Sequence, residues 1–169
     1  CVLGIKKPGI GLLNVGTEDI KGNPVVKQAY ENLKRIENQI NFYGFVEGDD
    51  INKGIVDVVV TDGFSGNIAL KTAEGVADLI FTYLKNAYQS SFISKLGYIL
   101  SKPALNRFKT RIDPRKYNGA VLLGLNGIIV KSHGGTDAFG FSNAISVAIS
   151  LIKNNYVNTI ENQLTRKQE

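Results

Sequence analysis

The chain has 169 residues, of which 43% are hydrophobic, and it carries a formal net charge of +5 and one cysteine. This size allows one buried core, so we expect a single domain over residues 1–169, and no apolar run approaches the roughly 18 residues of a membrane-spanning helix. One cysteine excludes an internal disulfide framework and is consistent with a reducing, cytoplasmic setting.

The first third of the chain alternates strand and helix patterns. It begins at Cys1 without a methionine and already resembles the middle of a structured segment, so we expect a piece of a longer polypeptide. Strands that alternate with helices predict parallel pairing in an α/β fold. The predicted elements are a strand at 10–16, a loop at 17–23, a helix from Pro24 capped by Asn23, a strand at 40–46, a turn at 47–54 and a strand at 55–61.

The next predicted element is a long helix at about 67–87. Apolar residues recur at helical spacing along it, which predicts an inner face. That face comprises Ile68, Val76, Leu79, Ile80, Tyr83 and Leu84.

Residues 90–117 interrupt the alternation with a basic arm. The arm carries seven lysines and arginines against one aspartate, whereas the rest of the chain carries thirteen basic and fourteen acidic side chains. Pro103 is expected to break the arm into a helical hairpin. Such a hairpin can contact a membrane, a second subunit or an acidic partner, or can simply pack on the chain's own core. Its apolar stripes are Phe92, Leu96, Ile99 and Leu100, followed by Leu105, Phe108 and Ile112.

The last third returns to strand and helix patterns. Two strand-like runs at 120–134 are split by Asn126-Gly127, which could form a hairpin or a bulge. Thr136 or Asp137 can cap a final helix, and the polar tail "NQLTRKQE" is expected to fray. The expected core face of the final helix comprises Ala144, Ile145, Ala148, Ile149 and Ile152.

Three segments with small or polar residues follow predicted strands, at 14–23, 62–67 and 131–137. The carboxyl ends of parallel strands share one edge of a sheet, where α/β folds bind ligands. We therefore expect the three segments to converge.

The loop from Gly63 to Asn67 suits an anion. Glycines allow close backbone approach, and amides at a helix start donate to phosphate oxygens. The alternative is that Ser65 and Asn67 only cap the helix and that the glycines only form a tight turn. The local sequence does not decide between the two interpretations.

Two further side chains could act on a substrate. Lys21 could reach a phosphate or could be a solvated loop lysine. His133, the only histidine, could be an acid, a base or an anion donor, or could only bond the backbone. No spaced set of histidines, cysteines or carboxylates indicates a metal site.

Three motifs in sequence order resemble one known family. They are "GLLNVGTEDIKGN", "DVVVTDGFSGNIALKTAEG" and "LLGLNGIIVKSHGGTDA". They are similar to the carboxyl-terminal half of the bacterial phosphate acyltransferases, the PlsX-type acyl-ACP:phosphate transacylases. The resemblance covers nearly the whole chain and weakens only in the tail.

The resemblance implies a fold, a reaction and a location. The fold is a three-layer α/β sandwich with a mostly parallel sheet, related to phosphotransacetylases and to isocitrate and isopropylmalate dehydrogenases. The reaction moves a fatty acyl group from acyl carrier protein to inorganic phosphate, making acyl phosphate for phospholipid synthesis without a cofactor or metal. Such proteins are homodimers in the cytoplasm, peripherally bound to the anionic inner face of the cell membrane, and no nucleic acid is expected as a partner.

The resemblance also assigns residues. Lys21 and Asn67 are the expected catalytic pair, with the arm as the expected membrane or partner contact. The phosphate or substrate site would further include Asn14, Gly16, Thr17, Asp62, Gly63, Phe64, Ser65, Gly66, Lys131 and His133. The contact residues of the arm would be Phe92, Leu96, Ile99, Leu100, Lys102, Leu105, Arg107, Phe108, Lys109 and Arg111.

Other functions remain open on the sequence. A phosphotransacetylase would act on a small coenzyme A thioester, and a decarboxylating dehydrogenase would need clustered aspartates that the chain lacks. A non-enzymatic membrane or partner-binding fragment would use the arm while the loops only cap helices.

Overall fold

The computed structural model describes residues 4–165 of the chain and confirms the α/β class. Two compact units are present, one of residues 5–80 and one of residues 81–165 together with Gly4. Cys1 and the end of the polar tail lie outside the described residues.

The first unit is built on three parallel strands, as the alternating pattern predicts. β1 (Gly9–Leu13) lies between β2 (Asn41–Val46) and β3 (Val58–Val60). Both pairings are parallel. Leu12, Phe45 and Val46 are buried and form the core of this unit. The third strand is shorter than the predicted run at 55–61.

Helix α1 (Pro24–Lys34) packs on this sheet through one aromatic side chain. Tyr30 stacks on Phe45 with 4.3 Å between ring centroids. Asn23 caps the helix as predicted, accepting a hydrogen bond of 2.9 Å from the Val26 amide. The segment predicted as a turn at 47–54 contains a short helix, α2 (Asp50–Lys53), which ends at Gly54.

Helix α3 (Gly63–Gln89) starts four residues earlier than the apolar pattern predicts. The residue that caps it is Asp62, whose Oδ1 accepts from the amides of Phe64 and Ser65 at 2.9 Å each. The expectation that 63–67 is a loop capped by Ser65 or Asn67 is therefore wrong. The Asp62 carboxylate satisfies the first amides, so two residues, Thr61 and Asp62, suffice to connect β3 to the helix.

The apolar face predicted for α3 is not a core face within the described residues. Ile68, Val76, Leu79, Ile80 and Tyr83 are exposed, and only Leu84 is half-buried. Periodicity identifies an apolar stripe but does not state which surface covers it.

The second unit contains the end of α3 and the whole of α4 (Phe92–Arg111). The rings of Phe81 and Phe108 are 5.9 Å apart, and those of Tyr88 and Tyr98 are 5.5 Å apart. Pro103 lies inside α4 and does not end it, so the predicted hairpin within 90–117 is wrong. Proline removes one backbone donor, and the many remaining hydrogen bonds of a 20-residue helix can carry that loss.

The rest of the second unit is a small hairpin with helices. A 3₁₀ helix (Pro114–Tyr117) leads to β4 (Ala120–Val121), which pairs antiparallel with β5 (Val130–Lys131). This pairing confirms a hairpin across the predicted Asn126-Gly127 turn. Helix α5 (Ala138–Lys153) follows, capped by Asp137, whose side chain accepts from the Gly140 amide at 3.0 Å. Helix α6 (Tyr156–Thr165) includes residues 162–165, the first four residues of the tail that the sequence predicts to fray.

The buried face of α5 differs from the predicted one. Gly140, Ala144 and Leu151 are buried, whereas Ile145, Ile149 and Ile152 are exposed. Only Ala144 of the predicted face is fully buried, with Ala148 half-buried. The helix is apolar on two sides, so its sequence pattern could not select the side that packs.

Replacement of the α3 cap tests the corrected start of the helix. Asp62→Ala leaves the amides of Phe64 and Ser65 without their acceptor, so we expect the free energy of unfolding to fall. Asp62→Asn retains an acceptor oxygen and should lose much less. Urea unfolding of the three proteins measures the difference, and equal stability of the wild type and Asp62→Ala would contradict the assignment of the cap.

Candidate functional site

The carboxyl ends of the three parallel strands form one polar edge of the first unit. Asn14 follows the central strand β1, Glu47 follows β2, and Asp62 comes shortly after β3. Leu12 pairs with Val60 in register, so the segments starting at Asn14 and Asp62 leave the sheet side by side. Adjacent strands are separated by about 4.8 Å, which places both segments within reach of one small ligand.

The loop after β1 is organised around the buried side chain of Asn14. Its amide nitrogen donates to the carbonyl of Gly16 at 3.0 Å and to that of Lys21 at 3.3 Å. The Asn14 backbone amide donates to Val46 at 2.9 Å, which ties the start of the loop to β2. The side chain of Lys27 on α1 holds the same loop by donating to the Ile20 carbonyl at 2.6 Å.

Lys21 lies on this loop with its ammonium group already bound to an oxyanion. Its Nζ is 2.9 Å from Oε1 of Glu18, and both side chains are about half exposed. The hydrogen bond to Glu18 raises the pKa of Lys21, and the bond from Lys21 lowers the pKa of Glu18. Glu47 adds a weaker attraction for the same lysine. Lys21 is therefore a cation at neutral pH, placed where an anionic ligand could replace the carboxylate.

The start of α3 borders the loop, but its amides are engaged. Phe64 and Ser65 donate to the Asp62 side chain, and Gly66 donates to the Asp62 carbonyl at 3.0 Å. The amide of Ser65 is the largest cause of a lowered pKa of Asp62. An anion would reach the amides of Phe64 and Ser65 only by displacing that carboxylate.

Asn67 lies within the first two turns of α3 rather than in a loop, and its side chain is exposed. Thr17 and Phe64 are also exposed, whereas Gly16 is buried. The described first unit thus brings the predicted residues 14–21 and 62–67 to one edge, as the sequence indicates.

Lys131 and His133 belong to the second unit, where Lys131 ends β5 and His133 follows it, and β5 pairs antiparallel with β4 rather than with the three parallel strands. Both side chains are exposed. His133 Nδ1 accepts a hydrogen bond of 3.2 Å from the Gly135 amide, so the neutral ring carries its proton on Nε2. The part of these residues in a common site remains a prediction.

Asn118 holds the segment of Ser132 and His133 in place. This buried asparagine donates to Ser132 Oγ and to the Gly140 carbonyl, each at 2.8 Å. Its Oδ1 accepts from the His133 amide at 2.9 Å. Sequence reasoning missed Asn118, because an Asn-Gly pair is ordinarily interpreted only as a turn.

Arg115 links two carboxylates across the same unit. Its guanidinium donates to Asp113 and, at 2.7 Å, to Asp137, the cap of α5. The bond to Arg115 lowers the pKa of Asp113 to about 2. This pairing means that Arg115, counted in the basic arm, is neutralised by its own chain.

The basic arm is largely solvent-exposed in the described residues. No residue of α4 is buried, and Phe92 and Leu100 are 83% and 78% exposed. Most residues of the apolar stripes are therefore exposed, while Phe108 contacts Phe81 of α3 within the second unit. A cleft of about 560 Å³ lies along the arm, lined by Phe81, Leu84, Lys85, Tyr88, Gln89, Lys95, Tyr98, Ile99, Leu105, Asn106 and Lys109.

Over residues 4–165, no helix is both long and apolar enough to cross a membrane. Within the same part of the chain, no three histidine, cysteine, aspartate or glutamate side chains are grouped so that they could hold a metal ion.

The first unit, with three parallel strands and helices, belongs to the class of open α/β proteins, whose ligands bind at the carboxyl ends of the strands. The comparisons with known proteins narrow this class. A family described as "Fatty acid synthesis protein" matches residues 1–159. The chain belongs to this family.

Curated proteins named phosphate acyltransferase are similar in sequence to nearly the whole of this chain. A phosphate acyltransferase of Paramagnetospirillum magneticum is 59% identical over 165 residues, which are 98% of this chain and 47% of that protein. Phosphate acyltransferases of Rhodospirillum rubrum and Rhodospirillum centenum are 52% and 54% identical over 99% of this chain. The chain spans about half the length of the curated relatives it matches.

Truncation of Asn118 tests its structural role. Asn118→Ala removes the hydrogen bonds of a buried side chain with Ser132 Oγ, the Gly140 carbonyl and the His133 amide, so we expect a loss of about 2 kcal/mol in unfolding free energy. The matched control is Asn158→Ala, an exposed asparagine of the same unit whose side chain donates to Asn155 at 2.8 Å, with an expected change within about 0.5 kcal/mol. Equal losses in chemical denaturation would contradict the role of Asn118.

The lowered pKa of Asp113 predicts a pH dependence. A carboxylate whose pKa falls from 3.8 in the unfolded chain to about 2 in the folded chain stabilises the fold above pH 3.8 and loses that effect as the pH falls through 2. Thermal unfolding should therefore show a constant gap in stability between the wild type and Asp113→Asn from neutral pH down to about pH 3.8, and this gap should narrow on further acidification and close below about pH 2. A gap that widens on acidification would contradict the pairing with Arg115.

Proposed function

We propose that this chain is part of a phosphate acyltransferase that moves a fatty acyl group from acyl carrier protein to inorganic phosphate, for phospholipid synthesis. The observation that carries the proposal is Lys21, whose ammonium holds the Glu18 carboxylate at 2.9 Å on the loop after the central strand. A lysine placed to hold one oxyanion can hold another of higher charge. The relatives named phosphate acyltransferase supply the reaction class.

The reaction requires phosphate to be held, stripped of water and aimed at a thioester carbonyl. Lys21 binds and orients phosphate in this proposal. A phosphate oxygen then forms a bond to the carbonyl carbon, the carbon–sulfur bond breaks, and the carrier's thiolate leaves. Asn67, at the same edge, donates to phosphate or to the oxyanion that develops on the carbonyl oxygen.

The neighbouring residues complete the proposed site. Gly16 and Thr17 flank the phosphate, and within the segment from Gly63 to Gly66 the amides of Phe64 and Ser65 donate to phosphate where it displaces the Asp62 carboxylate. We propose Lys131 and His133 as further substrate-binding residues, with the Nε2 proton of His133 as a donor. No cofactor and no covalent intermediate with the protein is needed, because phosphate itself is a nucleophile.

The arm is proposed as the contact for acidic or anionic partners. Acyl carrier protein is acidic, so Lys102, Arg107, Lys109 and Arg111 would steer its approach, and the attraction would weaken with salt. The exposed apolar residues of α4 suit the anionic inner face of the cell membrane or a second subunit of a homodimer. The proposal includes the three-layer sandwich of the phosphotransacetylases for the complete protein.

Two alternatives predict different results. A phosphotransacetylase of this class would act on acyl-CoA and would not use a long-chain acyl carrier protein. A non-enzymatic binding fragment would bind anionic vesicles through the arm, and this binding would not change on replacement of Lys21 or Asn67.

The test is phosphate-dependent thiol release from a long-chain acyl carrier protein. It uses this chain and the full-length Paramagnetospirillum magneticum relative with substitutions at the corresponding positions. Lys21→Ala should raise the KM for phosphate, and Asn67→Ala should lower kcat, each by about a hundredfold, as is typical when a charged or oxyanion-stabilising donor is removed.

Matched controls separate this effect from general damage. Lys53→Ala removes an exposed, ion-paired lysine of the same unit, and Asn32→Ala removes an exposed asparagine of α1. Both controls should retain activity. Full activity in Lys21→Ala and Asn67→Ala would overturn the proposed site.

A further inference from the structure

The loop that carries Lys21 is held by the side chain of Asn14, whose amide hydrogens are both used in hydrogen bonds to the loop. Asn14 is only 8% exposed, and its amide nitrogen has two hydrogens. One bonds the Gly16 carbonyl at 3.0 Å, and the other bonds the Lys21 carbonyl at 3.3 Å. Asn14 therefore joins the two ends of the loop and has no donor left for a ligand.

Two glycines shape the loop around this asparagine. Gly22 has a φ of +93°, and a Cβ at this position would overlap the Asn14 carboxamide. A Cβ at Gly16 would overlap the side chain of Lys21 and would also collide with Glu18. Gly22 thus allows the backbone to close on Asn14, and Gly16 allows the lysine to fold back over the loop. The position of the Lys21 ammonium follows from both.

We infer that Asn14 is a positioning residue, which acts on phosphate only through Lys21. This inference rests on the proposed function. It replaces the expectation that Asn14 contacts phosphate directly. A fixed loop holds the ammonium near its productive position before phosphate arrives, so less conformational freedom is lost on binding. Loss of the Asn14 amide would let the Lys21 carbonyl and its side chain move away together.

A double-mutant cycle tests this inference, because coupled residues are not additive. Phosphate-dependent thiol release is measured for the wild type, Asn14→Ala, Lys21→Ala and the double variant, in the full-length relative described above. Asn14→Ala should raise the KM for phosphate about tenfold, the equivalent of one lost hydrogen bond, with kcat little changed. The double variant should match Lys21→Ala alone.

A second measurement needs no turnover and uses the 169-residue chain itself. Heteronuclear NMR follows the titration of the Lys21 side chain, whose pKa is raised by Glu18. Asn14→Ala should move this pKa back towards 10.5, because the loop no longer holds the two side chains together. Lys27 still anchors Ile20, so the variant should loosen the loop without unfolding the unit.

Two further variants perturb the Asn14 amide, and a third serves as a control for general damage to the loop. Asn14→Ser retains one donor and should lie between the wild type and Asn14→Ala. In Gly22→Ala the new Cβ would overlap the Asn14 carboxamide and displace it, so the KM for phosphate should rise as it does in Asn14→Ala. The control is Asn23→Ala, which removes a helix cap beside the loop and should lower stability without changing the KM for phosphate.

Each contrary outcome has a distinct meaning. Additive effects of Asn14→Ala and Lys21→Ala would overturn the inference and indicate that Asn14 contacts phosphate itself. An unchanged KM in Asn14→Ala, with a raised KM in Lys21→Ala, would overturn the inference and leave the proposed function standing. An unchanged KM in Lys21→Ala would overturn both.

Discussion

The parallel pairing of β1 with a strand on each side is the constraint from which the candidate site follows. It places the carboxyl ends of three strands at one edge, so the loop after the central strand lies between Glu47 and Asp62. The loop brings a lysine and the helix after β3 brings an amide side chain to that edge. An antiparallel arrangement would have sent these segments to opposite edges.

Buried asparagines hold the two segments that carry candidate functional side chains. Asn14 bonds the loop of Lys21, and Asn118 bonds the segment of Ser132 and His133. They are the two buried polar residues among those that the structure describes. Burying an amide is unfavourable unless its groups are paired, so a conformation that loses these bonds is destabilised. The same side chains therefore stabilise the fold and restrict where Lys21 and His133 can lie.

Local patterns predicted the elements well where short-range contacts decide them. The Asn23 cap, the 120–134 hairpin and the Asp137 cap all depend on neighbours close in sequence. The pattern failed at Pro103, because a proline's effect depends on the stability of the helix around it. It also failed for α5, where two apolar sides compete and the packing partner decides which one is buried.

By itself, the sequence determined the chemical inventory of this protein: a lysine and glycines after one strand, small polar residues after another, and a basic apolar arm. It also determined the family, since three long motifs in order are specific. Only the tertiary structure decided what each polar side chain bonds. Asp62 caps α3 in place of Ser65 or Asn67, and Asn14 bonds its own loop. Hydrogen-bond partners depend on distances between segments, and a linear pattern of residue types does not contain those distances.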